Sequence, residues 1–261
     1  MSRRTNERST PARRRLPPVA RFALLAATLG VAGCATQGPL HVYTLGAGGE
    51  RPIQDQGNDG SQAESPSFIE PEDVVTGFAY DPFTDHFFLR LAPGNVIRVV
   101  DRPARAIKRE FTISGAPEDG GGDLAVRPRD GHLFLLHPSE PVVLEASRLG
   151  KMIGTIPLAA PAGRPIGIAY DPPRDQLLLL AADGRQVTRQ NTAGERMGGL
   201  TLDREAGSAL AFDSERRELY APLRAAPGGI GVFDENGRLQ RTVSAKETFV
   251  DVGPRSFIRV F

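Results

Sequence analysis

A short pattern recurs five times along this chain, and it limits the possible folds more than any other feature of the sequence. Each copy is an apolar run that ends at a proline or serine, and successive copies lie 46, 44, 42 and 40 residues apart. The copies are Gly77-Phe-Ala-Tyr-Asp-Pro82, Asp123-Leu-Ala-Val-Arg-Pro128, Gly167-Ile-Ala-Tyr-Asp-Pro172, Ala209-Leu-Ala-Phe-Asp-Ser214 and Phe249-Val-Asp-Val-Gly-Pro254. A period of this length predicts a fold built from repeated supersecondary units.

Further short apolar stretches follow each copy, separated by polar turns. A second stretch begins at residues 86, 132, 176, 218 and 256, and the first four copies continue with a third and a fourth stretch. Gly, Pro, Asp and Asn bound these stretches, and no run after residue 34 shows helical apolar spacing. Four short antiparallel strands per repeat predict an all-β fold, a β-propeller of about five four-stranded blades.

The first stretch of each repeat has the composition expected of an innermost strand. Alanine occupies the same position in four copies, at residues 79, 125, 169 and 211, and small residues suit strands that converge on a propeller axis. Asp251 occupies this position in the fifth copy. We therefore expect the Asp251 carboxylate to lie toward the axis, where it is costly unless it is paired, hydrated or bound to a metal.

The fifth repeat contains only two stretches, so a blade built from it alone would leave an open sheet edge. Residues 40–45 and 50–53 are the candidate missing strands, which predicts a blade closed by both ends of the chain. The alternative is a simple tether over residues 35–71, because the composition of residues 46–71 is typical of a flexible linker.

The amino terminus has the features of an export signal. Residues 1–33 hold seven Arg and one Glu, and an uncharged apolar run of 11 residues begins at Phe22. This run is about half the length that a membrane-spanning helix needs. The pattern predicts a secretory signal peptide; a conventional signal with a buried free Cys34 and an organellar transit peptide are the alternatives.

Val31-Ala32-Gly33-Cys34 resembles the lipobox of bacterial lipoproteins. The resemblance implies cleavage between Gly33 and Cys34, acylation of Cys34, and Ala35 as a residue that permits sorting to the outer membrane, facing the periplasm; the inner membrane and the cell surface are the alternatives. We divide the chain into a signal peptide (1–33), a lipidated segment with possible closing strands and a linker (34–71), and a propeller domain (72–261).

The third and fourth copies, such as Gly167-Ile-Ala-Tyr-Asp with its later Asn191-Thr-Ala-Gly, resemble NHL-type propeller repeats. The likeness covers residues 74–261 and implies a propeller, although NHL domains usually have six blades and only five are countable here. Such propellers include binding modules, scaffolds and some enzymes, so the resemblance does not select a function.

Acidic residues dominate the loops that lead into the first strands. After residue 33 the chain carries 25 of the 32 basic and 30 of the 31 acidic residues, a net formal charge of −5, which argues against a nucleic-acid partner. Asp73, Asp123 and Asp251 are candidate ligands of a hard cation such as calcium, and Arg164 is a candidate partner of Asp251. Ordinary solvated loops, with Asp251 bound to main-chain amides, are the alternative.

Two classes of function remain. The first is a membrane-anchored module whose propeller binds an envelope protein or a glycan; we expect it to be monomeric and to use no cofactor. The second is a metal-dependent hydrolase or lactonase with an acidic axial site. Calcium-dependent lactonases of the gluconolactonase type hold their metal with Glu, Asn and Asp, but only Asn95 has a comparable position here, so we favour the first class.

Overall fold

A computed structural model describes residues 40–46, 52–58, 61–159, 164–226, 228–244 and 248–254. These residues form twenty strands in five four-stranded antiparallel sheets and one 3-10 turn at Pro172–Arg174. Within these residues no helix is long and apolar enough to cross a membrane. The predicted five-bladed β-propeller is confirmed.

The strands follow the chain in groups of four after the first three. They are β1 (Leu40–Leu45), β2 (Ile53–Gly57), β3 (Gln62–Ser65); β4 (Val74–Asp81), β5 (His86–Ala92), β6 (Val96–Asp101), β7 (Ala106–Thr112); β8 (Leu124–Arg127), β9 (His132–Leu136), β10 (Val142–Ala146), β11 (Met152–Pro157); β12 (Pro165–Asp171), β13 (Gln176–Ala181), β14 (Gln186–Asn191), β15 (Arg196–Thr201); β16 (Ala211–Asp213), β17 (Glu218–Pro222), β18 (Gly229–Phe233), β19 (Leu239–Ser244) and β20 (Phe249–Pro254). We number the blades 1 (β4–β7), 2 (β8–β11), 3 (β12–β15), 4 (β16–β19) and 5 (β20 with β1–β3).

The first strands of the blades form a closed inner ring. β4, β8, β12, β16 and β20 each contact the first strand of the next blade, and β20 contacts β4. Four hydrophobic clusters lie between successive blades, so each sheet is buried on both faces near the axis. Burial on both faces explains why β13 has a continuous run of leucines instead of an alternating pattern.

Blade 5 is closed by the two ends of the described chain. β1 pairs with β20 from Leu40 opposite Pro254 to Leu45 opposite Phe249, which confirms the predicted closure. β1 therefore takes the second position of the blade, and the strand predicted at residues 256–261 lies outside the described residues. The second closing strand, predicted at residues 50–53, is β2 at Ile53–Gly57, and residues 50 and 51 lie outside the described residues. β2 and β3 both come from residues 46–71, whose composition predicts a linker. All five blades are built from residues 40–254.

Aromatic side chains pack across the seam where blade 5 meets blade 1. The Tyr43 ring lies 4.4 Å from the ring of Tyr80 and 5.0 Å from that of Phe87. The Tyr80 hydroxyl donates to Asp85 Oδ1 at 2.9 Å, and Arg102 binds both oxygens of Asp85. The seam is therefore held by packing and by a buried polar network together.

The two ends of the ring differ in their connections. The turn end carries the hairpin turns between first and second strands and between third and fourth strands. The loop end carries the connections between second and third strands and those that lead from one blade to the next. Because Leu40 pairs with Pro254, the last residue of an inner strand, β1 begins at the turn end.

Candidate functional site

The inner strands approach one another so closely that side chains have little room at the axis. A Cβ on Gly77 would lie 2.8 Å from Leu124 Cδ2 and 3.0 Å from Asp123 Cα. A Cβ on Gly167 would lie 3.0 Å from the Ala209 carbonyl carbon. Glycine and alanine in these columns therefore follow from close backbone packing, as the alanine column predicts.

Asp123 occupies the column that holds Gly77, Gly167 and Ala209 in other blades. Asp123 is buried, and its Oδ2 accepts hydrogen bonds from the main-chain amides of Ile168 at 3.1 Å and Leu210 at 3.2 Å. Burial holds the pKa of Asp123 well above its usual range, although the amide donors oppose this shift. One carboxyl group thus joins blades 2, 3 and 4 at the axis.

Asp251 has an analogous role on the other side of the ring. Its Oδ2 accepts from the Tyr80 amide at 2.6 Å, and its Oδ1 accepts from the Val252 amide at 2.7 Å. Burial raises the pKa of Asp251 to about 7, and the two amides oppose the shift. The residue nevertheless keeps some solvent exposure. Asp251 therefore links blade 5 to blade 1 through main-chain donors, one of the arrangements expected from the sequence.

The two axial carboxyl groups affect each other. The charge of Asp251 raises the pKa of Asp123 further, because like charges in a poorly solvated region repel. Burial remains the largest cause of the raised pKa of Asp123, and the Asp251 charge adds to it.

The other residues singled out by the sequence lie apart from this pair. Asp73 Oδ2 binds Arg98 Nη1 at 2.6 Å and accepts from the Glu70 amide at 2.9 Å. Arg164 is exposed and forms no hydrogen bond or ion pair within the part of the chain that is described. Gly33 and Cys34 lie outside the described residues. No three His, Cys, Asp or Glu side chains among the described residues are grouped so that they could hold a metal ion.

Arg90 is an axial neighbour that sequence reasoning missed. Its side chain is fully buried, with Nε donating to Asn95 Oδ1 at 2.7 Å. Its Nη1 donates to the carbonyl oxygens of Gly122 at 2.9 Å and Leu136 at 2.8 Å, which ties blade 1 to blade 2. Burial lowers the pKa of Arg90 to about 10, and the Asp123 charge opposes this. Alignment of the repeats could have revealed Arg90, because Leu136 and Leu180 occupy the equivalent position in blades 2 and 3.

These contacts show what the axial groups do chemically. Both oxygens of Asp251 and one oxygen of Asp123 accept from main-chain amides that face the axis, where sheet pairing ends. A buried amide without an acceptor costs about 1–3 kcal/mol, so these carboxyl groups stabilise the ring. Their geometry favours bracing of the blades over metal coordination.

No protein-family model matches this sequence, and no curated protein sequence matches it. Solved structures do share its architecture. One chain of a nidogen–laminin complex superposes with a TM-score of 0.57 at 12% identity, covering 82% of this chain and 98% of that one. A Bacteroides caccae protein of unknown function gives 0.53 at 11% identity, covering 82% and 99%. Glutaminyl cyclase from Myxococcus xanthus gives 0.50 at 14% identity, covering 68% and 69%. The shared feature is the fold.

Proposed function

We propose that this protein is a lipid-anchored envelope protein whose propeller binds a protein or a glycan. The observation that carries the proposal is the position of β1, which begins six residues after Cys34 and is an integral strand of blade 5. Six extended residues reach at most about 20 Å. An acylated Cys34 would therefore hold the whole ring near the bilayer surface.

A binding role accounts for the axial residues better than a metal-dependent hydrolase does. Asp123 and Asp251 bind main-chain amides, and Asp73 is paired with Arg98. A calcium ion needs six to eight oxygen ligands. The three carboxylates could serve as ligands only by losing these hydrogen bonds and the ion pair. The structural neighbours have diverse functions and support only the fold.

The loop end is the surface that we assign to the partner. An anchor at the start of β1 attaches the turn end of the ring and leaves the loop end accessible to a partner. Long connections at residues 66–73 and 113–123 lie there, with Glu72, Glu118 and Asp119 exposed. Exposed carboxylates accept hydrogen bonds from the amines of a basic segment or the hydroxyls of a sugar.

The anchor is tested by labelling cells with an alkyne analogue of palmitate. Cys34 is the only cysteine in the chain, so Cys34→Ser leaves no other thiol to acylate. We expect the wild-type protein to carry the label and to sediment with membranes, and Cys34→Ser to lose the label. An unlabelled wild-type protein would contradict the anchor.

The binding role is tested with a photo-crosslinking amino acid at Asp119, on the loop end, and at Gln240, an exposed residue on the rim of blade 4. We expect a discrete adduct from position 119 and none from position 240. Equal yields from both positions would contradict a partner at the loop end.

Calcium separates this proposal from the hydrolase. We expect the melting temperature to be the same in chelator and in added calcium, because a ligand stabilises a fold only when it binds the folded state. A rise of several degrees that Asp251→Asn abolishes would favour the metal-dependent enzyme.

A further inference from the structure

Large apolar side chains that face solvent are concentrated at one end of the ring. Six such side chains are exposed among the residues that the structure describes. Five of them lie in turn-end hairpin turns or at the second position of the strand that follows such a turn: Phe83, Ile107, Leu149, Ile153 and Met197. The sixth, Val74, begins an inner strand at the loop end. Exposed apolar side chains therefore distinguish the turn end of the ring from the loop end.

Leu149 is the most exposed of these side chains, at 71%, and it lies at the tip of the β10–β11 hairpin. The tip is ordered, because Ser147 Oγ accepts from the amides of Leu149 at 3.3 Å and Lys151 at 3.2 Å. Ile153 follows as the extra residue of a bulge between β10 and β11, which directs its side chain outward. The fold thus presents these apolar groups in a fixed arrangement.

Cationic residues lie in the turns that carry or precede these exposed apolar groups. Arg148 and Lys151 flank Leu149, and Arg105 lies in the turn before β7. None of these three forms an ion pair with any residue described here, whereas most acidic groups at this end are already paired, as Asp85 is with Arg102. Apolar tips between unpaired cations are typical of surfaces that bind anionic lipid.

The same end carries the attachment point of the chain. Leu40 pairs with Pro254, and a Cβ on Gly253 would lie within 3.0 Å of the Tyr80 ring and 3.6 Å of Pro82. The start of β1 is therefore beside the turn that holds Phe83. The described chain therefore begins at the end of the ring that carries the exposed apolar side chains.

We propose that the turn end of blades 1 and 2 docks on the surface of a bilayer that contains anionic lipid. Phe83, Leu149 and Ile153 would enter the headgroup region, while Arg105, Arg148 and Lys151 would bind lipid phosphates. The inference rests on the proposed anchor at Cys34 for its biological setting. An anchor alone leaves the ring free to rotate, whereas docking holds the loop end away from the membrane.

Fluorescence tests the proposal directly, because the chain contains no Trp. Leu149→Trp introduces a single indole at the hairpin tip, and Val74→Trp places the matched control at the loop end. Residues 35–261, which contain all five blades and lack Cys34, are mixed with phosphatidylglycerol–phosphatidylcholine vesicles and with pure phosphatidylcholine vesicles. We expect a blue shift for Leu149→Trp with the anionic vesicles only, and none for Val74→Trp.

A charge reversal then tests the role of the cations. Lys151→Glu in the Leu149→Trp background should weaken vesicle binding at least about fivefold, since each cation near an anionic surface contributes a factor of this size. No shift with anionic vesicles, an equal shift for Val74→Trp, or binding unchanged by Lys151→Glu would each overturn the proposal. So would a crosslinker at Leu149 that gives a protein adduct in cells in place of lipid. Because the fragment 35–261 lacks Cys34, failure of vesicle binding is independent of failure of the anchor.

Discussion

Neutralising Asp251 should make the free energy of unfolding of the propeller depend less on pH between about pH 4.5 and about pH 8. A carboxyl group has a pKa near 3.9 in an unfolded chain, and burial raises the pKa of Asp251 to about 7 in the folded one. Between these values the folded state keeps a proton that the unfolded state has lost, so the free energy of unfolding falls as pH rises. From about pH 4.5 to about pH 8 the loss from this group is about 3 kcal/mol. This is an upper value, because Asp251 keeps some solvent exposure.

Asp251→Asn removes this titration. Its amide oxygen can still accept from Tyr80, but the bond from the Val252 amide is lost, at a cost of about 1 kcal/mol. We expect the variant to be no more stable than the wild type near pH 4.5 and to be more stable near pH 8. Urea unfolding followed by circular dichroism across this range measures the difference between the two proteins at each pH.

Two results would refute this reasoning. One is a difference between the variant and the wild type that does not change with pH. The other is a variant that becomes less stable than the wild type near pH 8, which would mean that the ionised carboxylate is the favoured form. Repeating the series in about 0.5 M salt should preserve the effect, because salt screens enclosed charges much less than exposed ones.

Three further substitutions and one control substitution test the packing and the buried hydrogen bonds by urea unfolding. Gly77→Ala should lower the free energy of unfolding by about 1–3 kcal/mol or more, because the added Cβ would meet the backbone of the next inner strand. The control Gly154→Ala, whose Cβ would have nothing within 4 Å, should be neutral or slightly stabilising. Equal effects of the two substitutions would contradict the close approach of the inner strands. Arg90→Met should lose about 2–4 kcal/mol by stranding buried carbonyl oxygens, and a neutral result would show that water replaces the guanidinium. Tyr80→Phe should lose about 1–2 kcal/mol with its hydroxyl bond to Asp85, and unchanged stability would show that this bond contributes nothing.

The repeat made the inner ring predictable because close backbone packing allows only small residues at defined positions. Ala79 and its equivalents are therefore visible in the sequence, and so is the unusual carboxyl group of Asp251. The second closing strand was expected at residues 50–53 and is β2 at Ile53–Gly57, while β3 was not predicted at all. β2 is a strand through its pairing with β1, and β3 through its pairing with β2, not through apolar content. A segment rich in Gly and Gln has the composition of a linker until a neighbouring sheet edge fixes it.

The contacts of the candidate acidic residues were less predictable than their positions along the strands. Asp73 precedes an inner strand, as Asp123 does, but its carboxylate binds Arg98 on a third strand. Sequence spacing gives the end of the ring on which a residue lies and not the direction of its side chain. Arg90 was missed because a charged residue in an apolar strand resembles a solvated position unless it is compared with Leu136 and Leu180 in the same column.

Closure of blade 5 by β20 and β1 also sets a condition on the biosynthesis of the protein. Blades 1 to 4 each come from one continuous segment, so they can form as the chain emerges. The ring cannot close before residues 249–254 have been made, and these follow β1 by more than two hundred residues. A polypeptide that ends before Phe249 would leave the edges of β1 and the flanks of β4 and β16 open to proteases. Resistance to proteolysis therefore reports that synthesis has reached Pro254.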